Sequence, residues 1–302
     1  MKKTILITGA TGLIGNSITN LLLTDGNFHV RWLTRKKTTA SKVEQFVWDP
    51  LNGTIDSEAL KNVSVIINLA GAGIADKLWT ASRRKVLIDS RIKSVELLYQ
   101  TCQKINHFPG VFISASAIGY YGNRPGEKIK ENSSKGTGFV SDLCFKWEKT
   151  ISLFEQHSRT ITMRLGLVLS VNGGTFPVLK KVAKLPIIAL PSNGKNHASW
   201  IHIADVTKFI HSAIHGNTFR GSYNLVSPQP VQFRDLLRFI IRYQAKKRLF
   251  VPIPSITVKI LLGKMSEIFI ADQLVLPQKL QNEEYIWSFP TLDEALENLK
   301  VN

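Results

Sequence analysis

Cysteine is scarce, with Cys102 and Cys144 the only two in 302 residues. A disulfide-stapled scaffold is thereby excluded, and the chain fits a reducing compartment. Long apolar runs are missing too. The most apolar late stretch, Ile253 to Ala271, carries Lys259, Lys264 and Glu267, whose charges make a bilayer crossing costly. At the start, Met1-Lys2-Lys3 before Thr4-Ile5-Leu6-Ile7 imitates a signal peptide, but threonine and glycine soon break the run and no small-residue cleavage site follows. It reads as a buried strand of a cytoplasmic protein, with no membrane partner expected. The seven histidines and two cysteines read as scattered, without ligand spacing such as CxxC or HxxxH, so no metal site is expected. Acidic residues are outnumbered, 22 against 39 Lys and Arg, for a net charge of +17. Such an excess brings nucleic acid into consideration. The basic residues are spread out, however, and their densest group, Arg238, Arg242, Lys246, Lys247 and Arg248, fits the wet face of an amphipathic helix as well as a binding stripe. With no recognition motif beside it, the charge reads as solubility plus attraction for small anionic ligands, and no specific nucleic-acid partner is expected.

What the chain does have is an apolar strand, Ile5-Leu6-Ile7-Thr8, running into Gly9-Ala10-Thr11-Gly12-Leu13-Ile14-Gly15 and then a helix from Asn16 to about Leu23. This GxxGxxG turn is a dinucleotide grip. Gly9 turns the chain out of the strand, Gly12 lets backbone amides approach a pyrophosphate, and Gly15 lets helix and strand pack closely, while the helix N-terminus supplies partial positive charge. Thr11, Leu13 and Ile14 fall on the same turn and are expected to touch the cofactor. A second strand, His29-Val30-Arg31-Trp32-Leu33-Thr34, ends where an NAD-selective protein usually has Asp or Glu to bind the ribose hydroxyl. Here that position is Thr34, followed by Arg35, Lys36 and Lys37. A guanidinium can pair with a 2′-phosphate that a carboxylate would repel, so NADP(H), with NADPH ahead of NADH, is the expected cofactor.

Further strand-like runs at Val63 to Leu69, Val111 to Ser114 and Thr160 to Leu165 alternate with helical patterns at Ile88 to Cys102 and Gly138 to Phe154. Strands alternating with helices predict an α/β fold, a Rossmann-type doubly wound parallel sheet. Later, Trp200 to Asp205 opens another helix with Asp205 read as its N-cap. The tail from Val231 reads as helices with short extended links around Pro252, Pro254 and Pro277. The expected division is an NADP-binding Rossmann domain over 1–165 and a small substrate domain over most of 166–302, with about 198–225 returning to the first.

The ordered set GATGLIG (9–15), NLAG (68–71), SRI (90–92), SASAIGYYG (114–122), KWE (146–148), RLGLVLS (164–170), SWIHIAD (199–205) and NLVSPQPV (224–231) spans nearly the whole chain. It resembles the extended short-chain dehydrogenase/reductase superfamily, the sugar-nucleotide epimerase and dehydratase group. More closely it resembles the atypical branch known as the epimerase family of unknown activity, sometimes labelled cell-division inhibitor. By that resemblance Leu69, Ala70 and Gly71 lie along the cofactor and Arg91 near it, and the substrate is a small hydroxyl- or carbonyl-bearing molecule such as a nucleotide sugar.

One superfamily feature is missing. Active members carry YxxxK on the helix that here runs through Phe139 to Trp147, one turn apart so that an ammonium lowers the tyrosine pKa for proton exchange. Counting back from Glu148, those positions hold Val140 and Cys144, neither of which can replace the pair. The resemblance therefore implies cofactor binding, and a non-catalytic NADP(H) sensor competes with redox or isomerase chemistry. Ser116 matches the superfamily's third catalytic residue, or else satisfies a strand-end backbone group. Tyr120 and Tyr121 are candidate displaced acids, or packing at a turn. His202 is read as structural, Cys144 as a small buried apolar residue rather than a nucleophile, and Asp49 as approaching adenine or capping a turn.

Overall fold

The computed structural model describes residues 2–39, 43–216, 218–242 and 248–299. Lys246 and Lys247 of the basic group lie outside them. The first half runs β1 (Lys3–Thr8), α1 (Leu13–Asp25), β2 (Phe28–Thr34), β3 (Glu44–Asp49), β4 (Thr54–Ile55), β5 (Val63–Asn68), α2 (Ala81–Lys104), β6 (Val111–Ala117), β7 (Lys128–Ile129) and α3 (Phe139–Ile151). It continues with β8 (Arg159–Leu165), β9 (Leu167–Leu169), α4 (Phe176–Val182), β10 (Ile187–Pro191), β11 (His197–Ala198), β12 (Trp200–His202), α5 (Ile203–His215) and β13 (Gly221–Leu225). The tail holds β14 (Val231–Gln232), α6 (Phe233–Arg242), β15 (Leu249–Ile253), α7 (Ser255–Leu262), α8 (Glu267–Ile270), β16 (Leu274–Val275), α9 (Gln278–Asn282) and α10 (Leu292–Asn298).

Eight strands form one sheet in the order β13-β8-β6-β5-β1-β2-β3-β4. Parallel pairing of β1 with β2 and with β5, of β2 with β3 and of β5 with β6 makes this the doubly wound sheet that the strand and helix alternation predicts. Strand order reverses between β5 and β1, and ligands of such sheets bind beyond the carboxyl ends of the strands at that reversal. Ile5, Leu6, Ile7, Ile66, Ile67, Phe112 and Ile113 are all fully buried, as strands covered on both faces require.

Packing divides the chain into two units. The first is Met1–Ser116, Phe145–Met163 and Thr207–Ser222. The second is Ala117–Cys144, Arg164–Val206 and Tyr223–Asn302, whose core gathers Phe176, Trp200, Leu236, Leu237, Ile240 and Leu296. No helix of the described residues is long and apolar enough to cross a membrane.

Two local expectations differ. Helix α2 begins seven residues before Ile88 because the Thr80 side chain caps it by accepting from the Arg83 amide. Asp205 lies in the first turn of α5 rather than at its N-cap, and its buried carboxylate accepts instead from the Ser288 and Phe289 amides.

Candidate functional site

The turn after β1 shows which glycines the fold itself needs. At Gly9, φ is +64° and a Cβ would sit 2.6 Å from the Leu69 carbonyl oxygen. At Gly15 a Cβ would meet the Gly9 oxygen at 2.4 Å and Ala10 Cα at 2.6 Å. Gly12 is different: its φ of −76° and ψ of 174° suit any residue, and the nearest atom to a Cβ, the Gly9 oxygen, is 3.2 Å away. The fold thus demands glycine at 9 and 15, whereas at 12 a Cβ would need the Gly9 carbonyl to give by only a few tenths of an ångström. There the missing side chain leaves a cradle against the start of α1, whose N-terminus has no side-chain cap and no acidic residue in its first turn. An uncapped helix N-terminus with no acidic side chain suits an anion such as a pyrophosphate in charge. Thr11 is exposed, and Leu13 and Ile14 are half-buried, on the same turn.

Across the reversal, the segment after β5 is held by side chains from three adjacent strand ends. Thr8 Oγ1 donates to Asn68 Oδ1 at 2.7 Å, and Asn68 Nδ2 donates to Ser114 Oγ at 3.0 Å. The Leu69 and Ala70 amides donate back to Thr8 Oγ1. Arg91 donates to the Ala72 carbonyl at 3.0 Å, Ser90 Oγ accepts from the Ala72 amide, and a Cβ on Gly71 would lie 3.3 Å from Arg91 Cζ. Leu69, Ala70, Gly71 and Arg91 therefore form one pinned ledge facing the glycine turn, with the Arg91 guanidinium 5.2 Å over the Trp147 ring. At the end of β2, the Thr34 hydroxyl donates to the Lys36 carbonyl and Arg35 is exposed. Asp49 caps a turn by accepting from the Leu51 and Asn52 amides and from the Asn52 side chain. Those bonds, the Asn52 side chain first, hold its carboxyl below the ordinary value, and the Arg35 charge adds to the effect.

Ser116, at the end of β6, is buried, and its Oγ donates to Glu148 Oε1 at 2.6 Å. Glu148 escaped the sequence reading. It sits on α3 four residues beyond Cys144 and eight beyond Val140, so the helix face that YxxxK would occupy ends one turn later in a carboxylate. The KWE motif carried that signal.

The remaining candidates belong to the second unit. Tyr121 is fully buried; its hydroxyl donates to Asn224 Oδ1 at 2.6 Å and accepts from Arg164 at 2.8 Å. Burial pushes the phenol up to about 12, against a downward pull from Arg164. Of its two readings this favours packing over a displaced acid, because the buried hydroxyl is engaged by core partners. Tyr120 is half-buried, with the Arg164 guanidinium 3.9 Å over its ring, which makes it a packing platform whose hydroxyl is not part of that contact. Val140 packs onto Gly119, where a Cβ would lie 2.4 Å from Val140 Cγ1, and Cys144 is buried beside it. His202 is also buried, its ring tilted 50° against that of Phe289 at 4.1 Å and its Nδ1 accepting from the Ala204 amide, the structural role expected of it. Burial pushes its imidazole down to about 4, opposed weakly by Asn298.

The profile of the NAD dependent epimerase/dehydratase family matches residues 5–225, and residues 253–299 match a domain of unknown function. An epimerase family protein of Staphylococcus saprophyticus is 30% identical over 301 residues, covering 98% of this chain and 99% of its own. The crystal structure of a human epimerase family protein with NADPH superposes with a TM-score of 0.86 at 26% identity, covering 99% of both chains. UDP-glucose 4-epimerase of Thermus thermophilus in complex with NAD has a TM-score of 0.76 at 19% identity over 98% of this chain and 97% of that one, a likeness of fold.

Proposed function

The chain belongs to the NAD dependent epimerase/dehydratase family, and from that membership we propose that it binds NADP(H) in preference to NAD(H) and exchanges protons with a small hydroxyl- or carbonyl-bearing substrate through Ser116 and Glu148. The 2.6 Å hydrogen bond between those two side chains carries the reading. Bound nicotinamide supplies or accepts the hydride. The chain's own part is the proton. In the oxidising direction the substrate hydroxyl gives its proton to Ser116 Oγ as the Ser116 proton passes to Glu148 Oε1, and the reducing direction reverses both transfers. Gly12 and the N-terminus of α1 receive the pyrophosphate, the ledge from Leu69 to Gly71 with Arg91 lies along the cofactor, and Arg35 pairs with the 2′-phosphate. A nucleotide sugar is the substrate class that suits the resemblance.

A non-catalytic NADP(H) sensor is the second reading, favoured by Val140 and Cys144 at the positions where the superfamily keeps its tyrosine and lysine. Deuterated NADPH screened against nucleotide sugars, aldehydes and ketones separates the two. The expected result is label transfer to at least one class, falling about 100- to 10,000-fold in Glu148→Gln and in Ser116→Ala with NADPH affinity retained. Tight NADPH binding without transfer to any of them selects the sensor, and transfer unchanged in both variants removes the pair.

A further inference from the structure

The histidines are not as scattered as they read. His211 and His215 stand four residues apart on α5, an HxxxH spacing that puts both rings on one helix face. Both turn to the same atom: His211 Nε2 lies 2.6 Å, and His215 Nε2 3.6 Å, from Asp25 Oδ2 at the end of α1. All three residues belong to the first unit. We propose that Asp25, His211 and His215 bind a divalent transition-metal ion, Zn2+ in the first instance, with water completing the coordination.

Three observations support this site beyond the coincidence of ligands. First, the other Asp25 oxygen, Oδ1, accepts from Asn27 Nδ2, which aims Oδ2 at the imidazoles in the manner of an outer-shell partner to a metal-binding carboxylate. Second, the Phe28 ring packs edge-on against both histidines, at 6.3 Å from His211 and 5.3 Å from His215, and restricts their rotation. Third, Asp25 is the last residue of α1 and His215 the last of α5. Each helix C-terminus carries roughly half a negative charge. Two such ends and a carboxylate therefore converge on two imidazoles, a field that favours a cation. An ordinary ion pair would use one imidazole, since a half-exposed second one gains little from a carboxylate in water.

The ligand chemistry fits as well. Two nitrogens and one oxygen with an open fourth position is a familiar Zn2+ set, and bonds of about 2.0 to 2.1 Å at tetrahedral angles separate ligand atoms by about 3.3 Å. The longer of the two contacts already has nearly that spacing, and the shorter one opens as the ion enters. Helix α1 is 13 residues long, about 20 Å. The metal thus sits at the opposite end of α1 from the pyrophosphate cradle, where it ties α1 to α5 as a structural clamp.

The test uses the full chain stripped with chelator and titrated with Co2+ as a spectroscopic probe, then with Zn2+ by calorimetry. One equivalent of Co2+ is expected to give visible bands of a four- or five-coordinate ion that Zn2+ displaces, and Zn2+ raises the melting temperature. His215→Gln, the most exposed ligand and so the variant least harmful to folding, and Asp25→Asn are each expected to weaken binding at least about tenfold. Asn27→Ala, which leaves every ligand in place, weakens it by a smaller factor. Absence of stoichiometric binding to the folded native chain overturns the proposal, and so does binding that survives His215→Gln and Asp25→Asn unchanged. Neither result bears on NADPH affinity, so it is independent of the function proposed above.

Discussion

Two neighbouring side chains set the proposed cofactor preference. Thr34 spends its hydroxyl on the Lys36 carbonyl, leaving no carboxylate at the ribose, and Arg35 stands exposed beside it. Loss of a charge-assisted hydrogen bond costs about 1.5 to 3 kcal/mol, roughly 10- to 150-fold in affinity. Arg35→Ala is therefore expected to weaken NADPH binding by that factor and leave NADH binding nearly unchanged, measured by nicotinamide fluorescence. Equal losses for the two cofactors would remove the 2′-phosphate contact. Ser116 was legible as a candidate because its place in the SASAIGYYG run matches the superfamily's serine. Its partner was not, since nothing in spacing along a chain says that a helix residue 32 positions later will bring a carboxylate to 2.6 Å. Tyr121 shows the opposite failure: its residue type suits an acid, and only burial against Arg164 and Asn224 disqualifies it.

Helix α1 carries a proposed site at each end. Its glycines divide by what crowds them, and the division predicts different outcomes for the same substitution. Gly15→Ala would push a Cβ to 2.4 Å from backbone, so helix and strand must separate and stability falls. Gly12→Ala meets one contact, the Gly9 carbonyl at 3.2 Å, which must give by a few tenths of an ångström, so the chain is expected to fold with a smaller fall in denaturation midpoint than Gly15→Ala yet lose most of its NADPH affinity. Unfolding midpoints and cofactor titrations on the two variants check this. An unfolded Gly12→Ala or a tightly binding one would show that the cradle is not what Gly12 keeps open. The existence of the helices was readable from apolar spacing, while their starts were less so. Helix α1 begins at Leu13 rather than Asn16, and α2 reaches back to Ala81, where the capping bond of Thr80 adds a largely polar stretch that carries little hydrophobic period.

At the scale of the whole molecule, acid stability should depend on His202. Its folded value of about 4 lies below the unfolded value near 6.5, so the folded state binds fewer protons in between. Its contribution is complete above about pH 6.5, is lost as pH falls toward 4, and amounts to about 3 kcal/mol at full extent. His202→Gln cannot titrate, so its unfolding free energy should fall less than the native protein's between about pH 7 and about pH 4.5. Equal falls in a urea series would show that the buried imidazole plays no part.

The sequence by itself determined the doubly wound sheet, the glycine turn after the first strand and the threonine that ends the second, because each depends on residue type at short spacing. The HxxxH pair at His211 and His215 was equally short-range yet was missed, and its partner was hidden. Tertiary structure alone decided that Glu148 holds Ser116, that Tyr121 is sealed in a core, that Thr8, Asn68 and Ser114 pin the ledge across three strands, and that Asp25 meets His211 across 186 residues of chain, with His215 beside it. Those outcomes depend on which distant side chains packing brings within hydrogen-bonding reach and which it removes from water, and no local pattern encodes either.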